Sequence, residues 1–99
     1  MIDFEAAKQI ALTEINSKYT GDLAPLVIAG TIEKTYGWIF FYVTQKYVET
    51  GEFQYALAGN GPLVVEKQDG AVYRLGTSRP VEENIREFER RRGFNIPTP

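Results

Sequence analysis

The chain has 99 residues, 43% hydrophobic and 24% charged, with a formal net charge of −2, which fits one globular domain and excludes a disordered chain. It contains no cysteine and no histidine, so disulfides and Ser-His-Asp or Cys-His nucleophile systems cannot be built, and a zinc site would need carboxylates alone. Mild acidity argues against nucleic acid, which needs clustered Lys and Arg, and no apolar run has the length of a membrane span or forms a signal-peptide h-region; the expectation is a soluble, cytoplasmic protein with no cofactor and no membrane.

Asp3 is placed to N-cap a first helix, and Phe4, Ala7, Ala11 and Ile15 form one amphipathic stripe with Ile10 beside it. Glu14 and Lys18 lie four apart on the outer side. The helix is expected to end near Tyr19, before Gly21 and the connector Leu23-Ala24-Pro25. Residues 26–34 read as a strand. The run Trp38-Ile39-Phe40-Phe41-Tyr42-Val43 reads as a second strand, because aromatic and β-branched residues fill it without a break. Alternation puts Ile39, Phe41 and Val43 on one face and Trp38, Phe40 and Tyr42 on the other. Either both faces are covered within the domain or one is left for a partner.

With Tyr36-Gly37 as a two-residue loop, Ile32 pairs with Phe41 and Lys34 with Ile39. Ile28, Ile32, Ile39, Phe41 and Val43 then form an aliphatic seat for the first helix. The strand is expected to run on through Thr44, Gln45 and Lys46 to Tyr47. Glu49-Thr50-Gly51-Glu52 reads as a turn, Phe53, Tyr55 and Leu57 as a short strand, and Gly59-Asn60-Gly61-Pro62 as a shaped loop that uses positive φ. Asp69-Gly70 is a type I′ signal that pairs Val64 with Leu75, Glu66 with Tyr73, Val65 with Arg74 and Lys67 with Val72. Pro80 opens a last helix with a Val81, Ile85, Phe88 stripe, acids Glu82 and Glu83 first and Arg90, Arg91 and Arg92 last, as the helix dipole favours. Glu82–Arg86 and Glu87–Arg91 are i,i+4 pairs, and Gly93 is the stop. The expected architecture is α+β: an antiparallel sheet of four to five strands, with both helices mainly on one face. Residues 1–93 form the domain and 94–99 a loose tail.

Three strings resemble the bacterial immunity protein 35 (YrhB-like) family: Tyr36-Gly37-Trp38-Ile39-Phe40-Phe41; Ala56-Leu57-Ala58-Gly59-Asn60-Gly61-Pro62 leading into Leu63-Val64-Val65; and Asp69-Gly70-Ala71-Val72-Tyr73-Arg74-Leu75-Gly76-Thr77. The resemblance spans most of the chain. It implies a non-enzymatic antitoxin, encoded beside a polymorphic toxin, that binds a cognate toxin domain and blocks it. It implies no particular contact residues.

Candidate partner-binding residues therefore come from physical reasoning. Trp38, Phe40 and Tyr42 form an aromatic stripe that either anchors a partner, as interface hot spots do, mediates a homodimer, or lies under another element of a monomer. Glu33, Glu49 and Glu52, with Glu66 and Asp69, are acids on strands and turns that could face a basic toxin; singly, each is explained as a solvated rim residue. Asn60 sits in a loop whose backbone N–H groups could form an anion nest, but the loop lacks the Lys and Ser/Thr of a P-loop. Glu49 and Glu52 could be a catalytic carboxylate pair, yet a turn offers no water-excluding cleft. Arg90, Arg91 and Arg92 are explained by helix capping. The other reading is a stand-alone small-ligand-binding or chaperone-like domain with an apolar groove on the aromatic face.

Overall fold

A computed structural model describes residues 1–17, 26–52, 61–77 and 79–94. The elements are α1 (Phe4–Ser17), β1 (Leu26–Lys34), β2 (Gly37–Thr44), α2 (Gln45–Thr50), β3 (Leu63–Glu66), β4 (Val72–Arg74) and α3 (Val81–Arg91). The four strands form one antiparallel sheet in the order β1-β2-β3-β4, so the chain is α+β. Among the described residues no helix is long and apolar enough to cross a membrane. The expected end of the first helix near Tyr19, the 53–58 strand, Asn60 and residues 95–99 lie outside the described residues.

The expectation that both helices share one face is corrected. α1 lays Ala7, Ala11 and Ile15 on Trp38, Phe40, Tyr42, Leu63 and Val65. α3 lays Ile85 and Phe88 on the opposite face, against Ile39, Val64 and Leu75. The helices thus sandwich the sheet. This answers the question posed by the greasy second strand: both its faces are covered inside the domain. It also explains why Trp38 to Phe40 and all of β3 are buried without alternation, the signature of strands covered on two sides.

Three local expectations differ from the structure. The first loop is Thr35-Tyr36, so Lys34 pairs with Gly37 and Ile32 with Ile39. The shift is two residues, which keeps each side chain on its expected face. An irregularity between Ile28 and Gly30 then sets Ile28 opposite Tyr42, which carries it to the α1 side, as a bulge at Ala29 requires. Second, β2 stops at Thr44, whose hydroxyl accepts from the Tyr47 amide at 3.0 Å and N-caps α2. Gly51, at φ 69°, closes α2 with its amide on the Tyr47 carbonyl.

Third, β3 pairs Leu63 with Arg74, Val64 with Tyr73 and Val65 with Val72. The loop is residues 67–70, closed by Glu66 N–H to the Ala71 carbonyl and Gly70 N–H to the Glu66 carbonyl, both 2.9 Å. A type I′ turn needs positive φ at both central residues. Only Gly70 has it, at 76°, and among the described residues no non-glycine does. Asp69 instead accepts from the Ala71 amide through its Oδ1 at 2.9 Å, an Asx-type closure.

Two side-chain anchors fix α1, one at each end. Asp3 Oδ1 accepts from the Ala6 amide at 2.8 Å, the expected N-cap. Asn16 pairs both ways with Leu26: its Nδ2 donates to the Leu26 carbonyl at 3.2 Å, and its Oδ1 accepts from the Leu26 amide at 2.9 Å. The side chain thereby imitates a strand neighbour and ties the end of α1 to the start of β1.

Candidate partner-binding surface

Trp38 and Tyr42 are 6% exposed and Phe40 is fully buried, so the structure places the proposed aromatic stripe beneath α1. Phe4 caps it, with ring centroids 6.0 Å from both Trp38 and Phe40. These side chains are core and offer no surface. The cover comes from α1, because alternation along β2 presents this face to it. The Tyr42 hydroxyl donates to the Gly61 carbonyl at 3.0 Å and accepts from Arg74 Nη1 at 3.1 Å. A buried phenol needs such a partner.

The acids do not form one cluster. Glu33, exposed on β1 opposite Trp38, pairs with Lys67 at 3.1 Å, and the Lys67 ammonium also stands 5.1 Å over the Trp38 ring. Glu49 and Glu52 are exposed beyond the other end of β2, in and just after α2. Trp38 to Thr44 is six residues, roughly 20 Å at strand rise. Glu49 accepts from Gln45 at 3.5 Å, and the Glu52 amide donates to Thr50 Oγ1 at 3.2 Å. Asp69 is consumed by its own turn. Asn60 lies outside the described residues.

Glu66, read as a surface acid, is 5% exposed. It accepts from Arg92 Nε and Nη2 at 2.9 Å each, the bidentate geometry that arginine favours. Glu89 is 7% exposed; its Oε2 accepts from the Tyr36 hydroxyl at 2.7 Å and lies 3.4 Å from Lys34 Nζ. Burial first, and the Glu89 hydrogen bond second, push the Tyr36 phenol well above its ordinary range. Tyr36 stacks on Phe94 with centroids 4.3 Å apart at 4°, and Arg92 lies over Tyr73 and Phe94 at 4.9 and 5.5 Å. The cluster rivets the end of α3 to the sheet: every carboxylate has its cation, and the aromatic rings close it from water. Arg92 therefore does more than cap a helix.

A concave feature of the described surface lies elsewhere. A cleft of about 250 Å³ runs between the end of β4 and α3, lined by Arg74, Leu75, Gly76, Arg79, Asn84, Glu87, Phe88 and Arg91. Glu87 sits between two guanidinium groups: Arg79 Nη1 reaches its Oε2 at 2.7 Å and Arg91 Nη2 its Oε1 at 2.6 Å. The Arg91 hydrogen bond, then the charges of Arg91 and Arg79, hold the Glu87 carboxyl below its ordinary range. Asn84 Nδ2 donates to the carbonyls of Gly76 at 2.8 Å and Arg79 at 3.0 Å and so fixes the connecting segment to the helix. Sequence reasoning missed this cleft. Its signal was present, since Asn84, Glu87, Phe88 and Arg91 fall at i, i+3, i+4 and i+7 on one stripe, but nothing in the sequence brings Arg74 and Arg79 to it.

The fold is thus an α+β sheet sandwiched by α1 and α3, with a charged cleft on one edge. The family comparison is specific: the immunity protein 35 model matches residues 5–88, from the first turn of α1 to Phe88 in α3. The chain belongs to the immunity protein 35 family. It is also 34% identical over 74 residues to the uncharacterized protein YrhB of Escherichia coli strain K12, covering 74% of this chain and 79% of that one. No solved structure matches it.

Proposed function

We propose that the chain is a cytoplasmic antitoxin that binds one toxin domain, the cognate member of a polymorphic toxin system, and blocks it by direct contact without catalysis. The observation that carries this reading is the immunity-family match across residues 5–88. The geometry supports it in a secondary way. Among the described residues most aromatic side chains pack in the domain's own two cores, and charged side chains stand in and around the cleft. Charge of this kind gives specificity and encounter rate to a protein interface. The alternative, an apolar ligand groove on the aromatic face, is not favoured: that face carries α1, and the cleft between β4 and α3 has arginines in its lining.

The test is affinity capture with the tagged chain in its native bacterium, followed by mass spectrometry and a growth assay. The expected result is one protein in stoichiometric amount, whose expression alone arrests growth and whose effect this chain relieves. Co-purification of a small molecule instead, or capture without growth protection, would sink the antitoxin reading.

A further inference from the structure

We propose that the cleft carrying Arg79 and Arg91 is the partner-facing surface, and that it receives an acidic segment of a protein partner. This rests on the antitoxin reading for the identity of the partner, and on the cleft alone for its chemistry. The expectation from sequence was the reverse polarity, an acidic surface for a basic toxin.

The charge balance makes the argument. Three arginines and one glutamate line the cleft; Arg74 donates to the Tyr42 hydroxyl and lies 3.9 Å from Glu14, so the cleft's own charge is that of Arg79 and Arg91 against Glu87, in a chain whose formal net charge is −2. Glu87 engages Arg79 and Arg91 through one nitrogen each. A guanidinium carries five N–H donors, so both retain donors that Glu87 does not use, and their side chains are 57% and 76% exposed. Exposed pairs of this kind contribute little to folding, so stability does not account for the arrangement. What it does is hold two guanidinium planes apart on a fixed carboxylate, ready for bidentate contact with incoming carboxylates.

Size and sign narrow the occupant. At about 250 Å³ the cleft is below the roughly 300–1,000 Å³ of small-molecule pockets, and suits a few side chains of a larger partner. A phosphate backbone would need a continuous basic track. Here Glu87 interrupts the basic groups, and Glu82 and Glu83 stand in the first turn of the same helix.

The test titrates the ¹⁵N-labelled protein at low salt with a hexaglutamate peptide, with hexalysine as the control. The expected result is amide shifts confined to Leu75, Gly76, Arg79, Asn84 and Arg91, no response to hexalysine, and affinity at least ten-fold lower in Arg79→Gln/Arg91→Gln. A dispersed spectrum of the double variant certifies its fold, and Arg79→Gln alone substitutes if it does not disperse. Shifts elsewhere, affinity unchanged by the substitutions, or tighter binding of a dT6 oligonucleotide at the same amides would overturn the proposal. The captured toxin separates this inference from the reading beneath it. Affinity for that toxin unchanged by Arg79→Glu/Arg91→Glu overturns the cleft as the contact while the antitoxin function stands. If no toxin exists, the antitoxin reading falls and the peptide titration still decides the cleft's chemistry.

Discussion

Tyr36 donates to a carboxylate that has almost no water around it. Replacing it with Phe keeps the stack on Phe94 but removes the 2.7 Å hydrogen bond to Glu89, leaving Lys34 at 3.4 Å as a cationic neighbour. A hydrogen bond to a charged group is worth about 1.5–3 kcal/mol, so Tyr36→Phe is expected to lower stability by about that much, with an unchanged urea slope. The same residue sets an alkaline limit. Its phenol is raised in the folded state by burial and by Glu89, so the fold holds the proton more tightly than the unfolded chain does. The stability it contributes is fully present below the unfolded tyrosine value, about 10, and is lost as pH rises beyond it. Urea midpoints of the two proteins are therefore expected to converge above about pH 10. Parallel curves would show that Tyr36 does not titrate in this way. None of this was legible in the sequence, where Tyr36 read as a turn residue and Glu66 and Glu89 carried no sign of burial. The pairings Tyr36–Glu89 and Glu66–Arg92 cross 53 and 26 residues, and only the placement of α3 creates them. Gly61 shows the same limit. It reads as a residue for positive φ, yet a Cβ there would lie 1.9 Å from the Leu75 carbonyl oxygen: the constraint is a close approach of two backbones.

At the scale of elements, what was legible followed the strength of the periodic signal. α1 and α3 carry stripes, and both helices form over them, but Val81, expected in the buried stripe of α3, is exposed in its first turn, and Pro80 opens α3 without a side-chain cap. α2 has no stripe, and its residues read as the end of a strand to Tyr47 followed by a turn from Glu49: none of its residues is buried and Val48 is 62% exposed. A helix of one and a half turns has no intrinsic stability in water, so α2 depends on its two ends, Thr44 and Gly51. Thr44→Val keeps the buried volume and removes the acceptor for the Tyr47 amide. The expected cost is about 0.5–2 kcal/mol. Hydrogen exchange checks whether the loss is local: the Tyr47 and Gly51 amides are expected to lose protection, while β2 and β3 keep theirs. Equal loss across the sheet would mean that α2 unfolds only with the whole domain. The hairpin teaches a different lesson. Asp69-Gly70 located the reversal correctly, but its dipeptide signal concerns loop type, and the side chain of Asp69 favoured an Asx closure over positive φ. The register moved by two residues, so the faces survived the error.

For the whole molecule, the decisive feature is that one sheet serves two cores. The sequence made β2 apolar on both faces and left open whether the second face met a partner; it could not assign helices to faces, since α1 and α3 each have one apolar side and fit either. The bulge between Ile28 and Gly30, which carries Ile28 to the α1 side, is equally invisible in composition. Two cores on opposite sides of a sheet share backbone but different side chains: Ile15 belongs to the α1 layer and Ile85 to the α3 layer. Ile15→Val and Ile85→Val are each expected to cost about 0.5–1.5 kcal/mol. Sites without shared partners add to within about 0.5 kcal/mol, so the double variant is expected to lose the sum in urea unfolding. A larger coupling would mean that the layers report on each other through β2 and β3. Additivity has a functional consequence: substitutions at Arg79 and Arg91 of the cleft, which borders the α3 layer through Leu75 and Phe88, would then leave the α1 layer undisturbed. The surface of such a protein can change its partner while half of its core holds the fold.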